Sequence, residues 1–352
     1  MKYSFMSFST PAARLQDMLA MAKRYGYDGI EPRLDAGHAH GIEVAASGEQ
    51  RAAYKAAAQE AGIAIACLAT SLTYADPAAA DAAVGQTHER IDLAGDVGAP
   101  VVRVFGGKLP AGVTRDRAIE AVASSLGAVA GHAARRGVVL CMETHDDWCD
   151  PKHVAAVMTR VNHPHVAVNW DVMHPVRMRF ATMDQAYGTL SPWIRHVHAH
   201  DGDGEGGTLR PIGEGVYDHR RALELLLRHG YGGFISGEWI NWEPAEKHLP
   251  RELSTLRNYE RELLVELLEK NLCALHTELK NAPAIDADMR AVLNALRTEV
   301  EAALSRPAGE RHLAHRPLRE KLVIGIEQLE GQHPALAVTM RRVTDMLSGI
   351  GI

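Results

Sequence analysis

Eight times in its first 250 residues the chain repeats one unit, a short apolar and β-branched run followed by a longer Ala-rich stretch. The apolar runs fall at 3–9, 29–33, 63–71, 101–107, 138–145, 166–174, 194–201 and 233–239. The helical stretches between them fall at 10–25, 49–61, 77–97, 114–136, 151–160, 183–190 and 218–229, and an eighth begins near Pro244. Strands alternating with helices predict a parallel sheet wrapped by helices. Eight such units in about 250 residues predict a closed (β/α)8 barrel. An open doubly wound sheet fits less well, because no GxGxxG turn opens a helix. Gly62 and Gly137 stand where a helix end needs a left-handed residue, and Asp150-Pro151 reads as an N-cap with the first helical residue.

After about residue 255 the strand signals stop. Leu264, Leu268, Leu272, Leu275 and Leu279 recur at steps of three and four, as on one face of a helix. The pattern returns at Met289, Val292, Leu296, Val300 and Ala303, at Leu322, Ile326 and Leu329, and at Leu336, Met340, Val343 and Leu347, with breaks at 281–285, 306–317 and 333–334. The reading is α/β overall: a barrel over 1–255 and a small all-helical C-terminal domain over 256–352. The charged, glycine-free run RELSTLRNYERELLVELLEK favours a helical join between them. The leucine repeats fit homo-oligomer formation through the tail, and equally its packing on its own barrel.

Composition removes several classes of function. The formal net charge is −6 and aromatics make up 5% of the chain, so neither a basic nucleic-acid surface nor a base-stacking platform is expected. The opening MKYSFMSFST has no apolar signal region, and no run of about 18 apolar residues predicts a membrane span. Cys67, Cys141, Cys149 and Cys273 form no CxxC pair, so reduced thiols in a cytoplasmic protein are expected. No GxSxG elbow marks a serine hydrolase, and Gly106-Gly107 and 213–215 are too short for phosphate loops.

In a (β/α)8 barrel the chemistry collects at the C-terminal ends of the strands. The fifth run ends in Glu143, followed by His145; the sixth delivers Asp171 and then His174; the eighth ends in Glu238. The seventh carries His196, His198 and His200, which share one face because side chains alternate along a strand. Three carboxylates on one rim repel each other, and a divalent cation relieves that repulsion. Carboxylate and imidazole together suit manganese, magnesium, cobalt or zinc. Salt-bridged rims on consecutive strands are the plainer account of the same residues. Glu31 and Arg33, at the end of the second run, read as a structural ion pair at the rim, with a substrate role as the lesser alternative.

The segments ETHDD, WDVMHP, HVHAHD and GEW, with the early GYDGIEPR and HAHGIE, resemble the xylose isomerase-like TIM barrels, the sugar phosphate isomerases and epimerases. The resemblance spans about 1–260. It implies one divalent metal held by Glu143, Asp171, His198 and Glu238, with His198 chosen as the second histidine of H-x-H. The ketose epimerase branch further implies substrate contacts from His174 and from Arg210 in LRPIGEG. That branch has a second Glu six residues after its first ligand, where this chain has Cys149. The C-terminal stretch from about Leu264, with ALHTELKNAP and EQLEGQHPALA, resembles a small bacterial helical domain of unknown function.

The implied chemistry is isomerisation or epimerisation of a carbohydrate-like hydroxy-carbonyl through an enediolate, with Glu143 and Glu238 taking and returning the proton. His145, His200 and Lys108 are further candidates for acid/base or substrate contacts. Dehydration of a keto-polyol shares the first step and is the alternative. An apurinic-site endonuclease would need three metals, with His38, His40, His145, His174 and His200 as possible further ligands, and the acidic balance counts against it. A non-catalytic scaffold is the remaining class.

Overall fold

The computed structural model describes residues 1–204 and 207–281, together with scattered helical positions between 287 and 345. The expected barrel forms. Its strands are β1 (Lys2–Met6), β2 (Gly29–Glu31), β3 in two halves (Ala64–Ile65 and Leu68–Ala69), β4 (Val101–Val104), β5 (Val139–Glu143), β6 (Val166–Asp171), β7 (Ile194–Ala199) and β8 (Phe234–Gly237). All pairings in this sheet are parallel. The two edges of the sheet are the two halves of β3: the first pairs with β2 and the second with β4. One strand that changes partner midway thus closes the ring. A short antiparallel pair, Asp201–Gly202 with Leu209–Arg210, follows β7 and was not foreseen.

The helices are α1 (Leu15–Tyr25), α2 (Gly48–Ala61), α3 (Ala80–Val97), α4 (Arg115–Arg136), α5 (Pro151–Val161), the short α6 (His174–Arg177), α7 (Met183–Leu190), α8 (His219–Arg228) and α9 (Ala245–Asn281). Their ends follow local chemistry. Ser47 with Gln50 and Thr182 with Gln185 form capping boxes, and Asp150 accepts from Lys152 N ahead of Pro151. Gly62 and Gly137 end α2 and α4 in the left-handed region, as their positions led us to expect. The barrel strands are buried almost throughout, and α4 turns Ile119, Val122, Leu126 and Val129 inward. No described helix is long and apolar enough to cross a membrane.

The chain divides into a unit Met1–Leu256 and a second, Arg257–Ile352. Helix α9 runs unbroken from Ala245 to Asn281, in line with the expected helical join. Beyond it, Ile326, Ala337 and Met340 are buried. The repeats at Met289, Val292, Leu296, Val300, Leu322, Leu329, Leu336, Val343 and Leu347, and the breaks between them, lie outside the described residues, as do Glu205 and Gly206 in the loop after β7.

Candidate metal centre

Parallel register sets the site. Asp171, the last residue of β6, is the partner of His198 on β7, and His198 is the partner of Ser236 on β8. Glu143 ends β5, paired with Asn169, and Glu238 follows the last residue of β8. One ligand atom from each of Glu143, Asp171, His198 and Glu238 lies within 4.8 Å of the others, and all four residues are buried.

Glu143, Asp171 and His198 are also held from outside the group. His198 Nδ1 stands 3.3 Å from Glu143 Oε1 and 3.1 Å from Glu238 Oε2. Asp171 Oδ1 accepts from the backbone N–H of Met173 at 2.8 Å and of His174 at 3.0 Å, while its Oδ2 lies 2.8 Å from His200 Nε2. Arg103, inside β4, places Nε 3.0 Å from Glu143 Oε2, donates from Nη1 to Thr70 O at 2.7 Å, and stacks over the Phe105 ring. The Arg103–Glu143 contact is close as a pair of charges but not aligned as a hydrogen bond, which leaves Oε2 without a donor.

Burial pushes the Glu143 carboxyl up, but Arg103 and His198 outweigh it and bring the pKa to about 2. Burial likewise raises Asp171, and the imidazoles of His174 and His200 overcome it and hold the group well below the usual carboxylate range. Glu238 is lowered against its burial by His198. Burial works against the charge on His198 and His200, yet the surrounding carboxylates raise both. The pocket therefore holds three ionised carboxylates. At about 4 Å and an effective dielectric near 20, each pair of them repels by roughly 4 kcal/mol. Three carboxylate donors and one imidazole fit a hard or borderline divalent cation such as magnesium, manganese, cobalt or zinc.

The other expected residues separate into two groups. His174, at the start of α6, has Nε2 4.0 Å from Asp171 Oδ2, and its ring meets His145 and His200 edge-on at 4.6 and 5.6 Å. His145 Nδ1 lies 3.1 Å from Asp146 Oδ1; burial opposes its charge, but Asp146 and Glu143 raise it to about 9. Lys108 and Arg210 are not drawn in. Both are exposed, Lys108 on the loop after β4 and Arg210 on the hairpin after β7. Among the described residues neither makes an ion pair with the four. Lys108 only helps to lower the Asp146 carboxyl.

Two expectations change. Glu31 and Arg33 are not an ion pair: Glu31 points into the barrel at His196 and His198, while Arg33 donates to Leu34 O, Ala69 O and Ser71 Oγ. Strand β2 ends at Glu31, so the alternation that would set both side chains on one face stops there, and Arg33 follows the loop. His38 and His40 are already engaged. His40 Nδ1 accepts from Ile42 N, its Nε2 donates to Arg33 O, and His38 Nδ1 bonds Ser7 Oγ. Among the described residues neither belongs to a converging ligand group, whereas His174 and His200, also expected as possible ligands of a three-metal arrangement, converge with Asp171.

Sequence reasoning missed Arg103. The signal was available in VVRVFGG, because an arginine inside a fully apolar strand is buried only when paired.

The model of the xylose isomerase-like TIM barrel family matches residues 19–259, and that of a domain of unknown function, DUF4404, matches residues 268–352. No curated protein matches the chain in sequence. Among solved structures it is similar to the probable 3-DHS dehydratase of Bacillus anthracis, with 19% identity, a TM-score of 0.61, and coverage of 73% of this chain and 98% of that one. It is similar to a D-psicose 3-epimerase, with 15% identity, a TM-score of 0.63, and coverage of 74% and 99%. It is also similar to an L-ribulose 3-epimerase, with 18% identity, a TM-score of 0.62, and coverage of 81% and 99%. At these identities the likeness establishes the fold.

Proposed function

The chain belongs to the xylose isomerase-like TIM barrel family, and from that premise we propose that its barrel is a divalent-metal-dependent isomerase or epimerase of a sugar, keto-polyol or related hydroxy-carbonyl compound. The observation that carries this reading is the convergence of Glu143, Asp171, His198 and Glu238. Those four residues would hold the cation. A divalent ion there supplies Lewis acidity, which polarises a substrate carbonyl and acidifies the neighbouring C–H.

The chain's own residues supply the rest. Glu238 and Glu143 flank His198 and are the two carboxylates available to take and return a carbon-bound proton. Arg103 sits on Glu143 and weakens it as a base, whereas Glu238 has no arginine ion pair among the described residues. Glu238 is therefore assigned the abstraction and Glu143 the return. His174 and His200, which lie beside Asp171, are assigned the binding of substrate hydroxyls. The epimerase neighbours support this class.

Dehydration of a keto-polyol is the second reading. The cationic His145, about a third exposed beside the same cluster, supports it as an acid for a leaving hydroxyl, and the dehydratase neighbour supports the class.

Elemental analysis of the purified protein beside Glu143→Gln tests the proposal. About one divalent ion per barrel, lost in the variant, is expected, and a screen of ketoses and keto-polyols then separates epimerised from dehydrated products. A Glu143→Gln protein with full metal content and turnover would sink the reading.

A further inference from the structure

We propose that Glu31 is a positioning residue that decides which nitrogen of His198 faces a bound cation, by holding the proton on Nε2 and leaving Nδ1 toward Glu143 and Glu238. The inference rests on the metal-centre reading above.

Glu31 ends β2, is fully buried, and reaches β7 across the barrel. Its oxygens are divided between two imidazoles: Oε2 lies 2.8 Å from His196 Nε2, and Oε1 lies 3.0 Å from His198 Nε2. A carboxylate has lone pairs and no proton to offer, so both imidazoles donate from Nε2; Nδ1 of His198 also faces carboxylates and carries a proton until a cation takes its place. The opposite nitrogen of His198 is the one 3.1 Å from Glu238 and 3.3 Å from Glu143. A metal takes a nitrogen lone pair, and the hydrogen bond made by the other nitrogen sets both the tautomer and the tilt of the ring. Glu31 converges with His196 and His198 as a separate group and shares with the four only His198. Its two oxygens already receive N–H donors, so it acts on the centre through the ring.

Glutamine at this position is nearly isosteric but can present an N–H where the carboxylate accepted one. That removes the acceptor which lets His198 keep its Nε2 proton when a cation replaces the proton on Nδ1. Calorimetric titration of metal-free wild type and Glu31→Gln with Mn2+ is the test, with thermal unfolding of both metal-free forms as the check on folding. We expect one equivalent bound by each, with affinity lowered by about 10- to 100-fold in the folded variant. A purely structural role would leave the affinity of the folded variant unmoved.

A second measurement uses the wild type alone. In protein labelled with 15N-histidine and loaded with Zn2+, His198 is expected to keep its Nε2 proton and bind metal through Nδ1. Binding through Nε2 overturns the proposal, even if Glu31→Gln does not fold. Equal affinities overturn the role of Glu31 alone, and a wild type that takes up no metal overturns the metal-centre reading with it. A second equivalent lost in the variant overturns it in favour of a cation held by Glu31 itself.

Discussion

Arg103 Nε lies 3.0 Å from Glu143 Oε2 in the barrel interior, with both side chains 1% exposed. Neither charge has water to fall back on. Removing the arginine strands a buried carboxylate beside Asp171 and Glu238. Arg103→Leu should destabilise the metal-free protein by about 3–5 kcal/mol, read from urea unfolding, and saturating divalent metal should restore part of the loss. A change under about 1 kcal/mol would show that the pair contributes no more than an exposed one.

Asp171→Asn probes a carboxylate with both oxygens committed. One accepts the Met173 and His174 backbone N–H groups and the other faces His200 Nε2. The amide can serve the backbone pair but then turns an NH2 toward an imidazole donor. The charge-assisted bond to His200 is lost, at about 1.5–3 kcal/mol. Metal uptake should disappear and the metal-free melting temperature should fall; retention of bound metal after dialysis would count against Asp171 as a ligand.

His40 gives a pH dependence with a defined sign. Burial lowers its pKa from 6.5 to about 4, although the bond to Arg33 O pulls the other way. The unfolded chain therefore binds this proton more readily than the folded one. Stability from His40 is complete above pH 6.5 and is lost as pH falls toward 4, by about 3 kcal/mol in all. Unfolding titrations at pH 7 and pH 4 should show a smaller acid loss in His40→Gln than in wild type. Identical losses would assign the acid sensitivity to other groups.

Gly215→Ala tests how the loop carrying Arg210 is pinned. The buried Asp201 carboxylate accepts from the backbone N–H groups of Gly202, Gly213, Gly215 and Tyr217. A Cβ at Gly215 would meet Asp201 Oδ1 at 2.0 Å, so this loop closes over the carboxylate only with glycine there. We expect a loss of about 1–3 kcal/mol, with faster hydrogen exchange in 211–217 and metal binding preserved. Unchanged exchange in that segment would show that Asp201 does not hold it.

Much of the fold was legible before any coordinates. The period of the strand–helix units, the Asp150-Pro151 start and the glycine stops at Gly62 and Gly137 are interactions between residues a few positions apart. Such signals survive in a linear reading because the backbone alone brings their partners together. The strand ends also limited where Glu143, Asp171, His198 and Glu238 could stand, because a parallel barrel sends every strand end to one face.

Contacts across the barrel were decided only by tertiary structure. Glu31 and His196 are 165 positions apart and meet because β2 and β7 face one interior. Arg103 reaches Glu143 from the neighbouring strand, and the short distance in sequence from Glu31 to Arg33 suggested a pair that does not form. Sequence by itself determined the alternation, the caps and the inventory of charged strand ends. Register and closure of the sheet decided which charge neutralises which, because the energy of a buried charge depends on its neighbours in space and not along the chain.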